Sequence, residues 1–134
     1  MAKKVKVQVK KPFVPIKSEN VKKVKIRVVG IGGGGGNIVS EIAGRVKGAS
    51  FVAANTDSQA LKHISKKVIP LQFGESFTHG LGTGMNPETA ALAAEADKEK
   101  IKKIFQDQDL TIIVATLGSG TGSGASPYFA NVSR

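Results

Sequence analysis

The sequence predicts an α/β fold with an open, mostly parallel sheet and helices on both faces. Short apolar runs rich in β-branched residues alternate with segments of helical periodicity, an order typical of parallel strands joined by crossover helices. Thirteen of the sixteen glycines fall in three clusters that each precede a predicted helix, and the first and third clusters directly follow a strand. The clusters comprise residues 30–36, 80–84 and 118–124.

Individual elements follow from local patterns. The predicted strands comprise residues 24–31, 51–54, 68–73 and 110–115. The predicted helices comprise residues 38–46, 58–64 and 87–105, with a last helix opened by Ser126-Pro127. Gly48 suits the end of the first helix, Asp57 is a plausible N-cap for the second, and Asn86 with Pro87 starts the third. Residues 74–86 are expected to form a loop.

Composition excludes several classes of protein. The length of 134 residues suits one domain, and the absence of Cys excludes a disulfide framework, a zinc knuckle and a thiol nucleophile. Only two His are present, so a His-rich metal cage is also excluded. No apolar run approaches the roughly 18 residues that a membrane span needs, and the N-terminus does not resemble a secretory signal. We therefore expect no membrane span and a cytoplasmic protein.

Positive charge is concentrated at the N-terminus. Residues 1–27 hold ten Lys or Arg and one acid, whereas the remaining residues hold ten basic and nine acidic side chains. We expect residues 1–24 to form a basic flexible extension, in which alternating Val5, Val7 and Val9 allow a short edge strand. Because the body is nearly neutral, no specific nucleic-acid partner is expected.

The three glycine clusters predict a phosphate site. Glycine lets the backbone approach a ligand closely, and a helix N-terminus offers free N–H groups with a partial positive charge. In a parallel sheet, the first and third clusters should face the same crevice. Flexible turns are the alternative, but they explain three clusters at helix starts poorly.

The ligand is less certain from the glycines alone. The spacing Gly30-x-Gly32-x-x-Gly35 satisfies the dinucleotide fingerprint, with Asp57 available for a ribose, so a fragment of an NAD-dependent oxidoreductase stays an alternative. A P-loop is excluded because no Lys-Ser or Lys-Thr follows the glycines. Hydroxyls alternate with glycine in residues 118–124, which supplies a second phosphate-facing loop that a dinucleotide site does not usually need.

Four stretches in this order carry a family resemblance. They are residues 30–37 (GIGGGGGN), 55–61 (NTDSQAL), 78–84 (THGLGTG) followed by NPE at 86–88, and 118–124 (GSGTGSG) followed by Pro127. From about residue 25 to residue 134 the chain resembles FtsZ, the tubulin-like GTPase family of prokaryotic cell division. The resemblance implies that residues 25–134 form the N-terminal portion of an FtsZ-like GTP-binding domain.

The resemblance also implies a ligand and the residues that bind it. The ligand is GTP, with Mg²⁺ carried by the nucleotide and no metal site of the protein's own. The implied binding residues are Gly33, Gly34, Gly35, Gly36, Asn37, Asn55, Asp57, Thr83, Gly84, Met85, Gly120, Thr121 and Gly122. Two residues depart from the family pattern. Ser119 replaces a glycine, which costs on the order of 1 kcal/mol if the position needs a positive φ, and His79 replaces an Arg.

The family's base-reading residues and catalytic acid loop lie beyond the matched region, so we expect Arg134 to end a fragment. No catalytic residue is assigned, and this chain alone is not expected to hydrolyse GTP. The implied role is the GTP-binding part of a GTPase that self-associates head to tail into protofilaments at the division site, where other division proteins are further candidate partners. The alternative is a truncated module that caps or regulates filaments of a full-length relative. We also expect the isolated chain to expose an apolar sheet edge near residues 110–115 and to aggregate readily.

Overall fold

Four strands form one sheet in the computed structural model, which describes Pro12, Val14 and residues 21–134. The strands are β1 (Ile26–Ile31), β2 (Ala49–Asn55), β3 (Ile69–Gln72) and β4 (Leu110–Ala115). Their spatial order is β3-β2-β1-β4, and each neighbouring pair is parallel. The predicted parallel sheet is therefore confirmed. The possible edge strand at Val5, Val7 and Val9 lies outside the described residues.

The helices cover both faces of this sheet, as the sequence predicts. They are α1 (Gly32–Ala43), α2 (Ser58–Lys62), α3 (Glu75–Thr78), α4 (Pro87–Ala96), α5 (Lys98–Lys103) and α6 (Gly120–Val132). One core packs α4, α5 and α6 against the sheet around Phe73 and Phe129, whose rings meet edge to face with centroids 5.3 Å apart. The second core lies on the other face of the sheet, where Val39 of α1 packs against Val28 of β1 and Phe51 of β2.

The predicted long helix at residues 87–105 is broken in two at Asp97. Its start is as predicted, because Asn86 accepts hydrogen bonds from the backbone N–H groups of Glu88 and Thr89. Asp97 leaves the helical conformation with φ −104° and ψ 28°, and its carboxylate accepts the Gly74 N–H at 2.7 Å. The helix is thus interrupted where Asp97 contacts Gly74, a residue far away along the chain that helical periodicity does not indicate.

Four other boundaries differ from the sequence prediction. Helix α1 begins at Gly32, inside the first glycine cluster, rather than near residue 38. The expected loop at residues 74–86 contains the short helix α3, and α1 ends at Ala43 rather than near Gly48. The last helix begins at Gly120, so Pro127 lies inside α6. Ser119 caps this helix seven residues, or about two turns, before Ser126, and that earlier cap outweighs the preference of proline for a first turn.

Among the described residues, none of the helices combines the length and the apolar character that a bilayer crossing requires.

Candidate functional site

A cavity of about 210 Å³ opens at the carboxyl edge of the sheet, where the segments after β1, β2 and β4 meet the loop between α3 and α4. This is the edge at which open parallel sheets hold their ligands. Eight of the thirteen predicted binding residues line it: Gly33, Asn55, Asp57, Thr83, Gly84, Met85, Gly120 and Thr121. Ala60, Gly82 and Ser119 complete the lining. We refer to this space as the carboxyl-edge cavity.

The start of α1 presents backbone N–H groups toward this edge. Its N-cap is Ile31, whose side chain cannot accept a hydrogen bond, so the first N–H groups of the helix have no side-chain cap. Gly33 is exposed there, and an added Cβ would meet no atom within 4 Å. An uncapped helix start with an open glycine matches the geometry of an anion site.

Other glycines of the same tract serve packing. A Cβ on Gly34 would collide with the side chain of Thr116, and one on Gly35 would lie 2.5 Å from the Val114 carbonyl oxygen. Gly36 is buried, with an added Cβ 3.6 Å from that of Ala53. Gly34 and Gly35 thus let α1 approach β4 and the turn after it, whereas the Gly36 contact is an ordinary van der Waals distance, and none of the three lines the cavity.

Asp57 supplies the only charged side chain in the described part of the lining. Its Oδ1 accepts the N–H groups of Gln59 at 2.8 Å and Ala60 at 3.2 Å, which confirms the predicted N-cap of α2. Asn55 is buried, and its Oδ1 accepts the Asp57 N–H at 3.1 Å. The cap uses one carboxylate oxygen of Asp57, and these hydrogen bonds fix the side chain at the cavity wall.

The hydroxyl of Thr121 joins three loops of the site. It lies 3.0 Å from the Thr56 hydroxyl and 3.3 Å from the Thr83 hydroxyl. Thr56 is fully buried, and sequence reasoning missed it although it stands between Asn55 and Asp57 in a quoted stretch. Next to Thr121, a Cβ on Gly120 would lie 2.7 Å from the Asn86 nitrogen. Only glycine therefore allows the start of α6 to approach the loop before α4 this closely.

Ser119 fits its position without the expected strain. Its φ of −96° and ψ of 159° are extended, and the residue with positive φ is the preceding Gly118 at 87°. The Ser119 Oγ accepts the Gly122 N–H at 3.2 Å and donates to the Thr116 carbonyl at 3.2 Å. The expected cost at Ser119 is therefore absent, because the side chain is the N-cap of α6.

The loop that carries Thr83 is built from left-handed backbone. Gly80, Gly82 and Gly84 have positive φ, and Met85 at 62° does so without being a glycine. Met85 is also 78% exposed. A non-glycine residue in this conformation is strained, and strain of this kind is found often at binding sites.

His79 is exposed at the end of α3, and it lies outside the cavity lining.

Two predicted binding residues remain to be placed. Gly122 is buried at the junction of α6 with the first loop, where a Cβ would lie 2.7 Å from the Thr116 carbonyl oxygen. Asn37 is exposed on α1 and does not line the cavity. The first and third glycine clusters do meet, as predicted, because a Cβ on Gly32 would lie 2.9 Å from the Gly122 nitrogen.

The lining suits phosphate accompanied by a cation. Backbone N–H groups line the cavity together with the hydroxyls of Ser119, Thr83 and Thr121, which already hydrogen-bond within the site, and the described lining contains neither Lys nor Arg. The Asp57 carboxylate and the Asn55 amide are hard oxygen ligands of the kind that Mg²⁺ prefers. The volume of about 210 Å³ is below the roughly 300–1,000 Å³ of pockets for whole small molecules, so it accommodates phosphate groups rather than a complete nucleotide.

Comparison with known proteins gives a consistent family. A family model described as "Tubulin/FtsZ family, GTPase domain" matches residues 25–134. The cell division protein FtsZ of Pseudomonas aeruginosa is 46% identical over 110 residues, which are 81% of this chain and 28% of that protein. FtsZ of Buchnera aphidicola (subspecies Baizongia pistaciae) is 42% identical over 123 residues, 91% of this chain and 31% of that protein. The chain therefore spans less than a third of the length of these curated relatives.

Solved structures agree with the sequence comparisons. An empty FtsZ dimer from M. jannaschii superposes with a TM-score of 0.79 at 40% identity, over 84% of this chain and 33% of that one. CetZ2 from Haloferax volcanii, solved as a GTPγS-bound protofilament, gives a TM-score of 0.72 at 25% identity, over 80% and 35% of the two chains. With its four motifs, its parallel sheet and its cavity at the carboxyl edge, the chain belongs to the Tubulin/FtsZ family, in its GTPase domain.

Proposed function

We propose that residues 25–134 are the phosphate-binding portion of an FtsZ-like GTPase domain, and that the carboxyl-edge cavity holds the phosphates of GTP. The observation that carries this proposal is the convergence of four segments, those after β1, β2 and β4 and the loop between α3 and α4, on one cavity lined by backbone, hydroxyl and Asp57 groups. The family match supports GTP over the dinucleotide that the first glycine cluster alone left open.

Each group in the lining has a proposed task. The N–H groups at Gly33, Gly84 and Gly120 donate to phosphate oxygens, and the helix starts of α1 and α6 supply partial positive charge. Thr121 holds the loops of Thr56 and Thr83 in position. Gly34, Gly35 and Gly122 act through close packing. Phosphate contact by Asn37 stays a prediction from the family resemblance.

Mg²⁺ is proposed to arrive with the nucleotide and to neutralise its phosphates. Asn55 and Asp57 are the residues that face it, since they provide the amide and carboxylate oxygens of the lining. The N-cap hydrogen bonds keep Asp57 oriented before the ligand binds, which lowers the ordering cost of binding. We assign no catalytic residue to this chain.

Assembly and location are proposed on the family alone. FtsZ from M. jannaschii is described as a dimer, and CetZ2 forms a protofilament. We propose that the protein self-associates head to tail and acts with other division proteins in the cytoplasm, at the division site. Residues 1–24 are proposed as a basic extension ahead of the GTP-binding portion.

Asp57→Asn tests this assignment. The amide oxygen of Asn retains the N-cap of α2, so we expect the free energy of unfolding to change by less than about 0.5 kcal/mol. GTP affinity in the presence of Mg²⁺, measured by isothermal titration calorimetry, should fall about tenfold, or about 1.4 kcal/mol, because a charged cation ligand is lost. Without Mg²⁺ the variant should bind GTP no more weakly than the wild type, because the same charge repels bare phosphate.

Asp107→Asn is the matched control. It removes the same charge from an exposed turn residue with a φ of 59°, a conformation that Asn tolerates well. Equal affinity of the wild type and the Asp57 variant for GTP with Mg²⁺ would refute the proposed role of the carboxylate.

A further inference from the structure

A second cavity, of about 510 Å³, lies at the amino edge of the sheet, opposite the carboxyl-edge cavity. Its walls include Lys23, Lys25 and Arg27 from β1 and the segment before it, and Gly48 and Ser50 from the start of β2. We call this space the amino-edge cavity. Its volume falls within the roughly 300–1,000 Å³ of small-molecule sites.

Positive charge dominates this cavity. Its described lining contains three cationic side chains and no carboxylate. The nearby Asp109 carboxylate is already engaged, since it accepts the Lys25 N–H at 2.8 Å and the Lys22 ammonium at 2.9 Å. The Lys25 ammonium also acts on Asp109 through space, but within the described part of the chain the direct ion pair of Asp109 is with Lys22, which lies outside the lining.

Arg27 gives the cavity a fixed recognition group. Its Nε donates to the Ser50 hydroxyl at 3.0 Å, and its Nη1 donates to the Ile104 carbonyl at 2.6 Å. Both acceptors are neutral, and among the described residues no carboxylate pairs with this half-buried guanidinium. A charge held in place without a counter-ion at a cavity wall favours an anionic ligand.

We propose that the amino-edge cavity binds a free oligophosphate, with Arg27 as the fixed donor and Lys23 and Lys25 closing over the anion. Because Nε and Nη1 of Arg27 already donate to Ser50 and Ile104, Nη2 is the guanidinium group left to donate to a phosphate oxygen, and the two lysines add mobile positive charge. The open cavity admits a small, multiply charged anion from solution. This site is separate from the carboxyl-edge cavity and does not depend on GTP binding there.

Titration with inorganic tripolyphosphate, followed by amide NMR of the full chain, tests the proposal. The amides of Gly48 and Ser50 should shift saturably, and the apparent affinity should decline with added salt. Lys23→Gln/Lys25→Gln changes two exposed side chains, so the fold is retained, and it should weaken this binding about tenfold. Arg27→Gln should weaken it at least as much, with retained dispersion of the spectrum as its folding check.

Lys62→Gln/Lys98→Gln is the control, because it lowers the net charge by the same amount at exposed positions outside the cavity. It should leave the affinity read at Gly48 and Ser50 within twofold of the wild type. If both double variants weaken tripolyphosphate binding equally, the binding reflects the net positive charge of the chain and not a site, and the proposal is overturned. Shifts confined to Gly33 and Gly120 would also overturn it, because tripolyphosphate would then occupy the carboxyl-edge cavity alone.

Discussion

Ser119 illustrates how one side chain decides the shape of a loop. The residue occupies an extended conformation and caps α6, while Gly118 carries the left-handed turn just before it. A serine where the family usually has glycine therefore adds a hydrogen bond and no backbone strain. The loop keeps its glycines where a Cβ would collide, at Gly120 and Gly122.

Ser119→Gly and Ser119→Ala distinguish capping from strain. If Ser119 caps α6, Ala should lower the free energy of unfolding by about 1 kcal/mol and Gly by a few tenths of a kcal/mol. If the serine were strained instead, Gly would raise stability by about 1 kcal/mol. Urea denaturation of the three chains separates the two outcomes by the sign of the Gly effect.

Asp109 ties the segment before β1 to the start of β4. The backbone N–H of Lys25 and the ammonium of Lys22 hold the pKa of the Asp109 carboxyl below its ordinary value of 3.8. A folded pKa below the unfolded one means that this contact stabilises the fold fully above about pH 3.8, and that the stabilisation is lost as pH falls through the folded pKa.

Carboxyl-carbon NMR of Asp109 checks this pH dependence. The titration midpoint should lie below 3.8 in the wild type. Lys22→Gln should raise the midpoint only part of the way, because the hydrogen bond from the Lys25 backbone is the larger cause and remains in the variant. A midpoint that returns fully to the unfolded value in Lys22→Gln would show that the side-chain pair alone sets the pKa.

The elements that were predicted well are those whose signals are local. The runs of apolar residues predicted all four strands. Asp57 and Asn86 accept hydrogen bonds from backbone N–H groups only two and three residues further along the chain, so both helix caps are visible in the local sequence. The break at Asp97 and the early start of α6 were missed. Asp97 contacts Gly74, which lies 23 residues away along the chain, so no local pattern marks it.

The same distinction applies to the site. Glycine spacing predicted which loops converge on the carboxyl-edge cavity. It did not predict which glycines face the cavity, because that depends on strand atoms far along the chain. Gly33 is open, whereas Gly34 and Gly35 meet Thr116 and Val114 of β4 and the turn after it.

Strand β4 ends the described sheet and presents an apolar edge, as the sequence predicted. It pairs with β1 alone, and Leu110 and Ile112 are 49% and 46% exposed. An edge of this kind offers unpaired backbone N–H and C=O groups to another chain. We therefore expect aggregation of the isolated chain to proceed through β4.

Ile112→Lys should slow this aggregation. The side chain belongs to neither buried core, so the free energy of unfolding should change by only about 0.5 kcal/mol. A lysine on an edge strand opposes pairing with a second chain. Light scattering at fixed concentration measures the rate.

Leu92→Lys provides the comparison for this edge effect. Leu92 is 51% exposed on α4, so the substitution removes a similar apolar side chain and adds the same charge away from any strand. If both variants slow aggregation equally, general charge repulsion rather than pairing at β4 accounts for the effect.

Across the molecule, the two edges of the sheet differ in charge. Among the described residues, Asp57 is the only charged residue in the lining of the carboxyl-edge cavity, and the amino-edge cavity has three cations. Under our proposal, phosphate binding at the carboxyl edge depends on backbone N–H groups and an accompanying metal ion, whereas the amino edge attracts an anion directly. The parallel arrangement of the strands produces this separation, because it places all helix starts that follow β1, β2 and β4 at one edge.

The central claim is that the carboxyl-edge cavity holds the phosphates of GTP. The most direct test is a two-dimensional amide NMR spectrum of the 134-residue chain, recorded with and without GTP and Mg²⁺. We predict saturable shifts of the Gly33, Gly84 and Gly120 amides, with the amide of Glu99 on α5 unmoved. A dispersed spectrum in which these three glycine amides stay fixed at saturating GTP would contradict the claim.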